Sequence, residues 1–125
     1  MKKLGILGST GSIGGSCLRV VEDCPHRYSV VSLTAGENVE RMAEQVKAFQ
    51  PAFVSMGTEQ AANRLRARLR EMGCSSVPEI AFGQEGMKQA ATLPEVDLVL
   101  SSTVGVAGLP ATYEALLAGK QVALA

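Results

Sequence analysis

The sequence predicts an α/β fold, a doubly wound and mainly parallel sheet with helices on both faces. Three observations predict it. Short apolar runs alternate with helix-period segments from end to end, the pattern that βαβ crossovers leave. The strand-like runs are nearly continuous in apolar residues, as a sheet covered on both faces requires. A loop with three glycines, Gly8, Gly11 and Gly14, joins the first run to the first helical segment.

The elements follow in order. Residues 4–7, Leu4-Gly5-Ile6-Leu7, form a compact strand-like run. Beyond the glycines, Ile13, Cys17, Val20 and Val21 fall at i, i+4, i+7 and i+8 and predict the apolar face of a helix. Pro25 and His26 mark a loop, and residues 28–33 give a second strand. Asn38 is placed to cap a helix whose inner face is Val39, Met42, Ala43 and Val46, with Pro51 as its stop. Phe53-Val54-Ser55-Met56 is a third strand. Thr58 is placed to cap the next helix, with Leu65, Leu69 and Met72 inward and Gly73 past its end. Residues 79–82 give a weaker strand signal, followed by a short helical piece around 85–91. Residues 96–100 read as a buried strand. Pro110 suits the first turn of a helix with Tyr113, Leu116 and Leu117 as its apolar face and Gly119 at its end. Residues 121–125 begin another strand, and a chain halting there is expected to be part of something longer.

Composition narrows the function. The 125 residues suit one domain, 46% of them apolar and 19% charged, which excludes a disordered tail. Twelve basic residues balance twelve acidic ones, so no global field draws the chain to nucleic acid or an anionic membrane. Cys17, Cys24 and Cys74 are an odd, scattered set, which argues against a disulfide framework or structural zinc and for a reducing compartment. No stretch approaches the ~18 apolar residues of a membrane span, and the expected location is the cytoplasm.

The strongest chemical signal is Gly8-Ser9-Thr10-Gly11-Ser12-Ile13-Gly14, placed between a strand and a helix. That context marks a dinucleotide loop and makes the expected fold Rossmann-like. Gly8 can turn sharply off the strand, Gly11 admits a pyrophosphate close to the backbone, and Gly14 lets helix and sheet approach. Unpaired N–H groups at the helix start, with the helix dipole, favour phosphate there. Ser9, Thr10 and Ser12 add hydroxyl donors. The spacing is G-x-x-G-x-x-G, and no Lys follows these glycines as a nucleoside-triphosphate loop needs.

The second strand should end beside the adenosine ribose, where the chain reads Ala35-Gly36-Glu37-Asn38. A carboxylate at Glu37 suits a ribose 2′-hydroxyl and NAD. Gly36, Asn38 and Arg41 offer donors to a 2′-phosphate. Ser101-Ser102-Thr103-Val104-Gly105 follows the strand at 96–100, at a carboxyl end where such sheets place ligands. Arg64, Arg66, Arg68 and Arg70 spread around an outer helix face with no aromatic residues among them, a solvated face. His26 is the only histidine and has no nearby partner carboxylate. The cysteines read as small core residues.

The opening MKKLGILGSTGSIG resembles the N-terminus of the 1-deoxy-D-xylulose 5-phosphate reductoisomerase family. Ala35-Gly36-x-Asn38-Val39, Arg41-Met42, Val104-Gly105-x-Ala107-Gly108-Leu109 and Ala118-Gly119-Lys120 are similar to the same family in the same order, so the resemblance spans the chain. It implies an NADPH-dependent oxidoreductase and isomerase of non-mevalonate isoprenoid biosynthesis, converting a ketose phosphate to 2-C-methyl-D-erythritol 4-phosphate. It implies cofactor contacts at Thr10, Gly11, Ser12, Ile13, Gly36, Glu37 and Asn38, beside Gly8, Ser9 and Gly14 of the loop. It also implies a sugar-phosphate substrate, a homodimer at full length, and Mg2+ or Mn2+ whose ligands lie outside residues 1–125. The chain is expected to be the cofactor domain alone and inactive by itself. One departure is Glu37, at a position often basic or small in the family.

Other readings fit less well. Acyl-phosphate reductases need a nucleophilic cysteine beyond this domain, and the three cysteines here are misplaced for it. Short-chain dehydrogenases need Tyr-x-x-x-Lys, whereas Ser32 follows Tyr28 and Leu117 follows Tyr113 at that spacing. A stand-alone NAD(P)-sensing module remains the alternative of a different class.

Overall fold

The computed structural model describes residues 1–74, 76–103 and 107–125. Strands β1 (Lys2–Leu7), β2 (Tyr28–Thr34), β3 (Phe53–Met56), β4 (Glu79–Phe82), β5 (Leu98–Ser101) and β6 (Gln121–Leu124) alternate with helices α1 (Ser12–Asp23), α2 (Val39–Phe49), α3 (Glu59–Glu71), α4 (Gly83–Thr92) and α5 (Leu109–Leu117). The strands form one sheet in the order β4-β3-β2-β1-β5-β6. Every neighbouring pair is parallel. The chain winds outward from β1 to β4, crosses back over the sheet, and continues from β5 to β6. The switch of direction falls between β1 and β5. Among the described residues no helix is long and apolar enough to cross a membrane.

The two faces hold separate cores. Leu4 and Ile6 of β1 join Leu18, Met42, Val46, Leu65 and Leu69 from α1, α2 and α3. Leu7 points the other way and packs with Val31, Ala91, Val99, Ala111 and Ala115 beneath α4 and α5. This period-two division of β1 is what burial on both faces demands. The helix caps form as expected: Asn38 accepts from Arg41 N at 3.2 Å and Thr58 from Ala61 N at 3.1 Å.

Two helices present other faces than the sequence predicts. In α1 the buried residues are Gly14, Gly15, Leu18 and Val21, while Ile13 and Val20 are about half exposed. The close approach is made by glycines, so the helix turns its small side to the sheet and leaves the branched side chains at the rim. In α5 the buried residues are Ala111, Thr112 and Ala115. Tyr113, Leu116 and Leu117 are 61%, 57% and 65% exposed. Small residues again allow the tight crossing, and the bulky ones point outward. The strand expected at 96–100 begins at Leu98, with Val96 buried just before it.

Helix α4 also lies on a floor of small residues. A Cβ on Gly5 would sit 2.7 Å from Ser32 Oγ and 3.3 Å from the Ala90 carbonyl oxygen. Ser32 Oγ donates to that carbonyl at 2.8 Å. Ser55 Oγ, equally buried beneath Gly86, has no partner among the described residues. The two hydroxyls therefore predict opposite outcomes. Ser55→Ala removes an unpaired buried polar atom and should leave urea stability unchanged or raise it by up to ~1 kcal/mol, whereas Ser32→Ala should lower it by ~1 kcal/mol. Equal losses in the two variants would contradict this assignment.

Candidate functional site

The loop after β1 and the loop after β5 meet at the switch point, where open parallel sheets place their ligands. Gly8 has φ +83, and a Cβ there would lie 3.1 Å from backbone atoms of Ser102 and Thr103. Glycine is thus required both by conformation and by space. Ser102 ties the loops together: its N donates to the Leu7 carbonyl oxygen at 2.9 Å, and its Oγ reaches the carbonyl oxygens of Leu7 and Gly8 at 2.8 and 3.1 Å.

From the other side, Thr34 at the end of β2 holds the loop. Its carbonyl oxygen accepts from Gly8 N and Ser9 N at 3.0 and 2.8 Å, and its Oγ1 from Gly8 N at 3.2 Å. Ser9 is fully buried. Its Oγ donates to Gln45 Oε1 at 2.8 Å, and Gln45 Nε2 donates to the Ser9 carbonyl oxygen at 2.9 Å. The expectation that Ser9 offers a donor to a ligand is therefore corrected. Its hydroxyl and amide are both spent inside the protein, where they anchor the loop to α2.

Among the described residues the hydroxyls of Thr10 and Ser12 remain open, and so do backbone amides of the first turn of α1. Gly11 is the N-cap of α1 and makes no side-chain cap bond. Gly15 N is the first amide with a helical partner, the Gly11 carbonyl oxygen at 2.9 Å. The amides of Ser12, Ile13 and Gly14 have no backbone acceptor among the described residues, and no acidic side chain stands in this first turn. Gly14 brings the turn down onto the loop. A Cβ on it would lie 2.5 Å from the Gly8 carbonyl oxygen and 2.7 Å from Ser9 Cα. A Cβ on Gly11 would meet only the Gly8 oxygen, at 3.7 Å.

A cleft of about 580 Å3 opens beside this turn. Of the residues singled out in the sequence, Gly8, Gly11, Gly36, Ser102 and Thr103 line it. Thr10 is half-buried, and Ser12 and Ile13 are exposed at the start of α1. Glu37 and Asn38 are exposed next to Gly36. Val104 and Gly105 lie outside the described residues. Sequence reasoning missed Thr34, Gly57, Gly83, Gln84 and Met87, which share the cleft wall with Ala35 and Ala107. A signal was available: Gly57 and Gly83 each stand directly after a strand, at the carboxyl edge where the backbone must leave room. The Gly57 amide donates to the Gly36 carbonyl oxygen at 2.8 Å, joining the ends of β2 and β3.

The remaining reactive groups stand apart. His26 is exposed. All three cysteines are free thiols, and burial pushes the Cys17 thiol up, so it stays protonated near neutral pH. Arg68 bonds Glu40 at 3.0 and 3.1 Å. That hydrogen bond, then the Glu40 charge, raises its pKa further. Arg66 donates to the Ile80 carbonyl oxygen. Among the described residues no three His, Cys, Asp or Glu side chains come together to hold a metal ion.

A parallel sheet wound both ways from its middle, with a glycine turn and an uncapped helix at the switch, defines the Rossmann-like class of α/β domains. The family profile of 1-deoxy-D-xylulose 5-phosphate reductoisomerase matches residues 4–125. The chain belongs to that family. It is 51% identical to the 1-deoxy-D-xylulose 5-phosphate reductoisomerase of Symbiobacterium thermophilum, over 100% of this chain and 33% of the relative. It is 47% identical to that of Photorhabdus laumondii, over 100% of this chain and 31% of the relative. The chain thus spans about a third of the length of these curated relatives. Among solved structures, DOX-P reductoisomerase in complex with magnesium superposes with a TM-score of 0.94 at 33% identity, over 100% of this chain and 30% of that one. DOX-P reductoisomerase in complex with NADPH, fosmidomycin and magnesium gives 0.90 at 32%, over 98% and 29%. The Zymomonas mobilis enzyme in complex with NADPH gives 0.89 at 35%, over 99% and 31%.

Proposed function

We propose that residues 1–125 are the NADPH-binding domain of a 1-deoxy-D-xylulose 5-phosphate reductoisomerase, which isomerises and reduces 1-deoxy-D-xylulose 5-phosphate to 2-C-methyl-D-erythritol 4-phosphate in non-mevalonate isoprenoid biosynthesis. The single observation that carries the reading is the uncapped first turn of α1 beside the cleft, its amides free and no carboxylate opposing an anion. Gly8 and Gly11 leave the space that a diphosphate needs. The amides of Ser12, Ile13 and Gly14 supply donors in a fixed array, and the helix dipole adds favourable charge. Gly36 and Asn38 flank the adenosine ribose. Ser102 and Thr103 line the path toward the nicotinamide half, with Met87 as apolar wall. When bound, NADPH supplies the hydride for the reduction step.

The chain's own work in this reading is to bind and orient. The Mg2+ or Mn2+ of the reaction draws on ligands elsewhere in the enzyme. Residues 1–125 alone are expected to bind coenzyme without turning over substrate. NADPH consumption by this stretch alone, given the ketose phosphate and magnesium, would overturn that expectation. Calorimetric titration of NADPH into the protein at its native length tests the central reading. We expect one site per chain with a dissociation constant between ~1 μM and ~1 mM. No saturable binding in that range would refute it.

A further inference from the structure

Helix α5 buries two small residues that suit its tight crossing, Ala111 and Ala115, and one polar residue, Thr112. Alanine at this position would serve the crossing as well and the helix better, since a β-branched side chain lowers helix propensity. What the hydroxyl adds is read from its partners. Thr112 Oγ1 lies 2.7 Å from the Gly108 carbonyl oxygen and 3.0 Å from Ser101 Oγ. A carbonyl oxygen only accepts, and a hydroxyl carries a single proton. Thr112 therefore donates to Gly108 and accepts from Ser101.

This link joins the two ends of one loop. Ser101 is the last residue of β5, and Gly108 is the N-cap of α5. Thr103 closes on Gly108 as well: a Cβ on that glycine would collide with Thr103 Oγ1 and lie 3.5 Å from Ser101 Oγ. Between Ser101 and Thr103 stands Ser102, whose amide and hydroxyl hold Leu7 and Gly8. Gly108 makes no side-chain cap bond, so Thr112 fastens this helix start from within. Neither Ser101 nor Thr112 lines the cleft.

We propose, resting on the coenzyme reading above, that Thr112 is a positioning residue: through Ser101 and Gly108 it ties the end of β5 to the start of α5, and so holds Ser102 and Thr103 against the glycine turn in the geometry that accepts coenzyme. Thr112 touches no coenzyme and acts only through the residues it fastens. Sites of this kind depend on such supporting bonds, because a small misplacement of the binding groups is costly.

Calorimetric titration of NADPH into the native-length protein and its variants, with thermal unfolding of each, tests this. Thr112→Val keeps the shape, removes the hydroxyl and should weaken NADPH about fivefold. Thr112→Ser keeps the link and should bind like wild type. Ser101→Ala breaks the link from its other end and should weaken NADPH by a similar factor. Added to Thr112→Val it should cost nothing further, since the two hydroxyls share one bond. Ser32→Ala is the stability control. It loses a buried hydroxyl bond to a carbonyl of α4, and should lower the melting temperature while changing NADPH affinity by less than about twofold. Unchanged affinity in Thr112→Val, a loss that Thr112→Ser shares, losses that add in the double variant, or an equal loss in Ser32→Ala would each overturn the role of Thr112. If Thr112→Val does not fold, Ser101→Ala decides, and unchanged affinity there overturns the proposal. Wild-type protein that does not bind NADPH would instead sink the underlying coenzyme reading.

Discussion

Gly14→Ala is expected to abolish useful coenzyme binding and to destabilise the fold, whereas Gly11→Ala should cost only binding. The added methyl at Gly14 would fall 2.5 Å from the Gly8 carbonyl oxygen and 2.8 Å from that of Ser9. Both are backbone atoms, so no side chain can swing aside. Helix α1 must lift off the loop, an overpacking that costs ~1–3 kcal/mol. Lifting also carries the free amides of the first turn away from their shared focus, and a misplacement near 1 Å is enough for ~100-fold in function. At Gly11 the φ of −77 suits any residue, and the nearest atom to a new Cβ is 3.7 Å away. There the methyl intrudes only on the ligand's space. Thermal unfolding and NADPH titration of both variants check the contrast. Equal stability loss in the two would show that the α1 contact is not the constraint described.

The second large effect is expected from Gln45→Leu. This side chain is 7% exposed, and both of its polar ends are paired with Ser9. Leucine keeps the bulk and removes both bonds, stranding a hydroxyl and a carbonyl in a dry site. Stranded buried groups cost ~1–3 kcal/mol each, so a loss of ~2–4 kcal/mol in urea unfolding is expected. Gln45→Glu keeps an acceptor for the Ser9 hydroxyl but sets a carboxylate oxygen against the Ser9 carbonyl oxygen in a buried site, and should lose at least as much. If leucine is tolerated within ~0.5 kcal/mol, the Ser9–Gln45 clamp carries no weight in the fold.

Much of this architecture was legible in the sequence because its signals are local. The strands at Phe53–Met56 and Glu79–Phe82 occupy the expected residues. Asn38 and Thr58 cap as their chemistry suggests. The glycine loop joins β1 to α1, as its sequence context suggests. Helix faces were less legible. The periodicity at Ile13, Cys17, Val20 and Val21, and at Tyr113, Leu116 and Leu117, counts apolar side chains. Close packing at α1 and α5 instead selected small ones, glycine in the first and alanine in the second. The partner of Ser9 was invisible for another reason. A serine in a glycine-rich turn looks like a ligand donor until a glutamine 36 positions away closes on it. Gly57 and Gly83 each follow a strand directly, a signal a short window does hold, but sheet order decides that both meet the same cleft.

The join between β1 and β5 sets when the site can exist. Leu7 and Ser102 are 95 positions apart, yet their bond closes the roof of the glycine turn. A nascent chain leaving the ribosome can assemble β1 to β4 with α1, α2 and α3 first, since those pairings run between successive strands. The centre of the sheet stays half-zipped until β5 emerges. Long-range parallel pairing of this kind slows folding, so the glycine turn is expected to mature last, although its residues are among the first to be synthesised.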